Sequence, residues 1–373
     1  MRIGILSMQR VVNCGSFLQA YALRQTVEDI AHAPVEFIDF QNPLDGGVPA
    51  EESFAAGALK RGKHLMLPQY RQSERRKINK RKFYRRWKAD LPQLGLPARP
   101  AGPSGTYDLV VVGSDEVFNL CQFTDVGKEV PWLLLGEGLE TRRLISYAAS
   151  CGQTDVRSLA EAGAEERSAE ALRRFDELSV RDENTEDTVR TLSGREALLH
   201  LDPVLVSRDF PRARTHRKPT RRYLLVYAYS GRISDPGEIE AIRSFAKEKG
   251  LQIICLNNTQ TWARKTVTVS PFDVPRWFED AEYVVTDTFH GAVFSIRTGA
   301  RFAVFVRNSN RNKLGSLLDQ FELEDRAVAE DNLLKEVLER PMDQVRVSFR
   351  LREERKRTVE YLREEIAKAA DHG

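Results

Sequence analysis

Short apolar, β-branched runs alternate with helix-length amphipathic segments along the chain, and few folds admit that pattern. Strands that are apolar along their whole length are buried on both faces, which requires a parallel sheet covered by helices on each side. Runs at 2–8, 35–40, 107–112, 144–149, 177–181 and 197–201, with helical patterns at 16–31, 165–175 and 184–192, predict one doubly wound domain. The alternation stops at 207–222, where two prolines and seven lysines and arginines leave almost no apolar side chain. It then restarts, with strand runs at 223–229, 251–256, 283–286 and 301–306 and helices at 236–249, 274–281 and 290–298. The predicted fold is α/β, with two Rossmann-like domains facing a cleft. The first spans 1–206 and carries a basic helical insertion near 55–95; a linker at 207–222 joins it to the second, at 223–340. A charged C-terminal helix over 341–373, with Val345, Phe349, Leu351, Tyr361 and Leu362 available for burial, is expected to pack back on the body.

A chain of 373 residues exceeds one ordinary core of about 100–200 residues, which agrees with two domains. A net charge of only +3 gives no general affinity for nucleic acid. No apolar run reaches the roughly 18 residues of a membrane span, and MRIGILSMQR reads as a strand and not as a signal peptide. The expected location is the cytoplasm, with at most peripheral contact at the inner face of the membrane. Cys14, Cys121, Cys151 and Cys255 are scattered without a CxxC pair or histidines at ligand spacing, so no metal site is expected. The segment 60–88 holds thirteen lysines and arginines against one glutamate, interleaved with Tyr70, Phe83, Tyr84 and Trp87. It reads as a solvated helix whose aromatics pack on the domain, or as a patch for an anionic polymer or a membrane surface.

Ligands of open α/β sheets bind beyond the carboxyl ends of the strands, so the residues just after each strand should converge on one cleft. After the first strand come Asn13, Cys14, Gly15 and Ser16, at a helix start suited to an anion or a sugar hydroxyl, with Ser16 readable also as a plain helix cap. Cys14 has no base nearby in sequence and reads more readily as a small buried thiol than as a nucleophile. A second apolar strand ends in Gly113, Ser114 and Asp115, where the carboxylate can orient or deprotonate a hydroxyl, or cap the next helix. A third leaves Arg181 at its end, either a clamp for carboxylate or phosphate or the partner of Asp182 or Asp202. The fourth runs into Asp287, Thr288, Phe289, His290 and Gly291, placing a side chain that titrates near neutral pH in a first helical turn; Gly291 is expected to permit close approach of a ligand. Arg307, Arg311 and Lys313 follow the next strand.

On these segments the chain resembles the polysaccharide pyruvyl transferase family over nearly its whole length. The resemblance rests on Asn13-Cys14-Gly15-Ser16-Phe17-Leu18-Gln19-Ala20-Tyr21, Val112-Gly113-Ser114-Asp115, Ile145-Ser146-Tyr147-Ala148-Ala149-Ser150, Ser179-Val180-Arg181, Leu201-Asp202-Pro203 and Phe289-His290-Gly291, in family order. It implies a fold like the two-domain glycosyltransferase-B architecture. The implied reaction transfers pyruvate from phosphoenolpyruvate to two hydroxyls of a glycan or lipid-linked saccharide as a ketal, with no cofactor and with His290 catalytic. Family members resemble one another in an Arg-x-His at this site, whereas this chain has Thr288-Phe289-His290. Arg181, Arg307, Arg311 and Lys313 are the expected substitutes for that arginine. A nucleotide-sugar glycosyltransferase of the same architecture, or a glycan-assembly protein without a donor site, are the alternatives.

Overall fold

The computed structural model describes residues 1–43, 68–97, 99–100, 102–208, 219–329 and 333–371. Most of the expected linker (209–218) and the first part of the basic segment (60–67) lie outside them. The described residues form two six-stranded sheets, parallel throughout. The first contains β1 (Ile3–Leu6), β2 (Val35–Phe37), β3 (Tyr107–Asp115), β4 (Thr141–Ala149), β5 (Ser179–Val180) and β6 (Leu198–Leu199), in the order β2-β1-β3-β4-β5-β6. The second contains β7 (Tyr223–Tyr227), β8 (Gln252–Leu256), β9 (Lys265–Val267), β10 (Tyr283–Thr286), β11 (Phe302–Phe305) and β12 (Ala327–Val328), in the order β12-β11-β10-β7-β8-β9. The α/β architecture is therefore two doubly wound halves. Each has a point where successive crossovers change direction, between β1 and β3 in one and between β7 and β10 in the other, and a crevice opens at such points.

The local sequence accounts for these elements. Val110, Val111 and Val112 are fully buried in the centre of the first sheet, which is why that strand carries no polar alternation. β3 continues through Gly113 and Ser114 to Asp115, past its expected end at 112. Helix α1 (Cys14–Ala31) begins two residues before its expected start, because the side chain of Asn13 accepts from the Gly15 N–H at 2.7 Å and caps it; Ser16 is not the cap. Helix α2 (Pro68–Asp90) carries the basic segment and buries Trp87 against the body. β9 and β12, short edge strands, were not expected from the sequence.

One apolar cluster runs through both halves. Phe17 of α1 meets Phe272 of the second half edge-to-face with ring centroids 5.3 Å apart, and Tyr227 and Phe294 belong to the same cluster. Helix α3 (Gln344–Asp371) returns to the first sheet, where the Tyr361 hydroxyl donates to the Ser146 carbonyl at 2.7 Å and the Arg143 Nε donates to Glu365 at 2.8 Å. Tyr361 and Leu362 are buried there as the pattern predicts, but Val345 and Phe349, in its first turns, stand exposed. Among the described residues no helix is long and apolar enough to cross a membrane.

Candidate active site

The loops that follow β1, β3, β5, β7 and β10 enclose a cleft of about 660 Å³ between the halves. Its first wall comes from Asn13, Cys14 and Ser16, with Asp115, Glu116 and Arg181 beside them. The facing wall comes from Tyr229, Arg232, Asp287, Thr288, Phe289 and His290. The Asn13 amide donates to the Tyr229 hydroxyl at 2.9 Å, and Lys313 pairs with Glu116, so both contacts cross from one half to the other. Helix α2 closes one side with Arg76, Lys80, Phe83 and Tyr84.

At the centre is a cluster on Asp202. One oxygen of its carboxylate accepts from Arg181 Nη1 at 3.0 Å and lies 3.5 Å from His290 Nε2. Burial pushes the Asp202 carboxyl up, but His290, Arg181 and the Val204 N–H outweigh it and hold the group below the ordinary range. Arg181 is only 3% exposed, yet its Nε and Nη2 have no hydrogen-bond partner; Nη2 lies 3.7 Å from Asp115, and the guanidinium sits 4.2 Å above the Phe289 ring. His290 is 8% exposed and its Nε2 also lacks a hydrogen-bond partner, 3.5 Å being too long for a strong one. Its ring lies against the α-carbon of Gly15, where any Cβ would overlap it. Gly15 thus sets the position of the histidine across the domain boundary.

Two further carboxylates differ in state. Burial pushes Glu116 up, but Lys313, Asn119 and Arg181 overcome this and bring it to about 2. Asp287, fully buried, has among the described residues only Arg232 within ion-pair range, at 3.2 Å, and burial raises it to about 6. Cys14 is buried, accepts from the Asn257 amide at 3.2 Å, and has its thiol raised by burial, which makes it packing and not a nucleophile.

Several residues singled out in the sequence lie elsewhere. Gly113 and Ser114 are inside β3: a Cβ on Gly113 would overlap the Tyr147 carbonyl, and the Ser114 hydroxyl donates to the Ala148 carbonyl at 2.9 Å. Gly291 faces the protein and not the cleft, because a Cβ there would overlap the Thr286 hydroxyl. Thr288 lines the cleft, but its hydroxyl is engaged as the helix cap, accepting from the Gly291 N–H at 3.0 Å. Arg307 pairs with Glu238 and Arg311 donates to Asn308 at 3.2 Å; neither lines the cleft. Arg181 and Lys313 do. Sharing one Asp202 oxygen with His290 puts Arg181 well inside the roughly 8 Å over which charges act in salt.

The sequence matches the polysaccharide pyruvyl transferase family over residues 13–309, most of its length. The chain belongs to that family. As a polysaccharide pyruvyl transferase family member it is a transferase, and its setting is polysaccharide modification. No curated protein matches it by sequence. Among solved structures it is similar to a UDP-GlcNAc 2-epimerase from Methanocaldococcus jannaschii (12% identity, TM-score 0.48, covering 94% of this chain and 93% of that one). It is also similar to the glycosyltransferase SnogD from Streptomyces nogalater (12% identity, TM-score 0.44, covering 99% of each). Within the family's Phe-His-Gly segment, Phe289 carries the guanidinium of Arg181 on its ring, so a cation stands beside His290 although position 288 is threonine. Asp202, Glu116, Asp287, Tyr229 and Arg232 were not named as site residues from the sequence. The available signal was position, since Glu116, Asp287 and Tyr229 lie within two residues of a strand's carboxyl end.

Proposed function

We propose that this protein transfers the enolpyruvyl carbons of phosphoenolpyruvate onto two hydroxyls of a glycan as a ketal, releasing phosphate. The observation that carries this reading is the Arg181 guanidinium, buried with two nitrogens unpartnered, on the same carboxylate oxygen as His290. Two buried guanidinium N–H groups without a hydrogen bond are ready donors for an anion. Arg181 has Asp202 and Lys313 has Glu116 as counter-ion, but Arg181 keeps two nitrogens without a hydrogen bond, which makes it the principal ligand for the donor's carboxylate or phosphate and Lys313 the second cation.

His290 acts as the acid. Asp202 keeps the ring oriented, and the ring gives its proton to the methylene carbon of the donor. The adjacent carbon, made electrophilic, takes the oxygen of the first acceptor hydroxyl, whose proton returns to the histidine. The carbon–oxygen bond to phosphate then breaks, the second hydroxyl closes the ketal, and its proton leaves with phosphate. Two hydroxyl protons are lost; one ends in the new methyl group and one on phosphate.

Calorimetric titration with phosphoenolpyruvate and with nucleotide sugars tests this. Binding of phosphoenolpyruvate is expected, weakened on the order of a hundredfold in Arg181→Gln, since two charged hydrogen bonds are lost. Binding of a nucleotide sugar with no response to phosphoenolpyruvate would assign the cleft to glycosyl transfer.

A further inference from the structure

The proposed reaction uses only one side of α2. Arg76, Lys80, Phe83 and Tyr84 face the cleft, while Asn79, Trp87 and Asp90 are buried, with the Asn79 amide donating to Thr259 of the second half at 2.9 Å. At about 100° per residue, Lys77, Ile78, Arg81, Lys82, Arg85 and Lys88 fall on the opposite side. Lys77, Ile78, Lys82, Arg85 and Lys88 are exposed and Arg81 half-exposed. Among the described residues only Lys77 of these has an acidic partner, Glu74, at 3.3 Å. The result is a straight stripe of positive charge over three turns, with Ile78, 48% exposed, set into it.

We infer that this stripe docks the protein on an anionic bilayer surface. Charge complementarity names the class of partner: each lysine or arginine near an anionic leaflet contributes about 1 kcal/mol, and screening confines the effect to about 8 Å. Shape selects a bilayer over a soluble polyanion. The stripe is the convex back of a helix, and the residues of α2 that line the cleft lie on its other side. A plane can meet all five cations at once and accept the isoleucine at its interface, which a hydrated polymer chain does not offer. The helix that meets the surface also forms a wall of the cleft, so the cleft lies one helix diameter, roughly 10 Å, from the bilayer.

Co-sedimentation of the full chain with vesicles tests this without substrate, and so independently of the donor assignment. Equimolar phosphatidylcholine and phosphatidylglycerol should retain the protein at physiological salt and release it as salt rises, and pure phosphatidylcholine should not retain it. Replacing Arg81, Lys82, Arg85 and Lys88 together by Gln should weaken partitioning on the order of a hundredfold or more, with an unchanged melting temperature and unchanged phosphoenolpyruvate affinity. Equal retention of the variant, or equally tight binding of wild type to soluble polyglutamate at the same salt, would overturn the proposal. If the fourfold variant melts early, Arg85→Glu with Lys88→Glu provides the same reading, since two charge reversals change the local charge by as much as four neutralisations.

Discussion

Asp287 lines the cleft and Asp202 lies behind its Arg181 and His290; the two are 0% and 1% exposed, and their environments drive them in opposite directions. Asp202 receives an arginine, a histidine and a backbone N–H and stays below the usual carboxylate range. Asp287, with Arg232 at 3.2 Å and only weak help from Arg307 and the Tyr229 N–H, is lifted by burial from 3.8 to about 6. Both are buried; the groups around Asp202 outweigh that burial and those around Asp287 do not. The site therefore holds one carboxylate whose pKa is depressed and which orients the histidine, and one that changes charge near pH 6.

The largest effect that can test this contrast is on turnover. His290→Gln keeps the size of the side chain and its hydrogen bonding but cannot deliver a proton, and kcat should fall about 10²–10⁴-fold with little change in melting temperature. A lower melting temperature with full activity per folded molecule would make His290 a structural residue. Next comes Asp202→Asn, which leaves Arg181 buried without its counter-ion and should destabilise the protein by about 3 kcal/mol at neutral pH. Because the folded-state pKa of Asp202 is depressed, its contribution is present above the unfolded value of 3.8 and is lost as pH falls through the folded value, so the variant's deficit should shrink in acid.

Asp287→Asn should show the opposite sign. Its carboxyl binds a proton more tightly folded than unfolded, so the native protein loses stability as pH rises from 3.8 to about 6, by at most about 3 kcal/mol. The variant lacks that loss, and its stability relative to wild type should increase across this window and level off above it in denaturant titrations. A flat difference would mean that Asp287 has more donors than Arg232. The smallest effect belongs to Gly15→Ala. A methyl group there overlaps the imidazole and displaces it from Asp202, so kcat should drop on the order of tenfold while phosphoenolpyruvate affinity holds.

The sequence signals that were readable here are the strong periodic ones. The central strands appear as apolar runs because a parallel sheet buries both faces, whereas β9 (Lys-Thr-Val) and β12 (Ala-Val) are edge strands too short and too polar to produce a run. Position beyond a strand end led to His290, Arg181 and Asp115, all of which line the cleft. It misled for Arg307, whose partner Glu238 lies 69 residues away in sequence, and for Gly291, whose reason is the Thr286 hydroxyl two strand positions behind the helix cap. The state of Asp287 was illegible for a similar reason: a missing donor is a property of the assembled cleft, and no residue type announces it.

The apolar cluster shared by the two halves has a thermodynamic consequence. Phe17 and Phe272, which seal it across the boundary, would be exposed to water if either half unfolded alone. Neither half then has an independent folded state, and heating should give one endotherm whose calorimetric and van't Hoff enthalpies agree, where separable domains would give two. The same seam limits motion: the halves can slide by small amounts over packed side chains, but a wide hinge opening would tear the cluster. Substrates must therefore enter a cleft that is already nearly assembled.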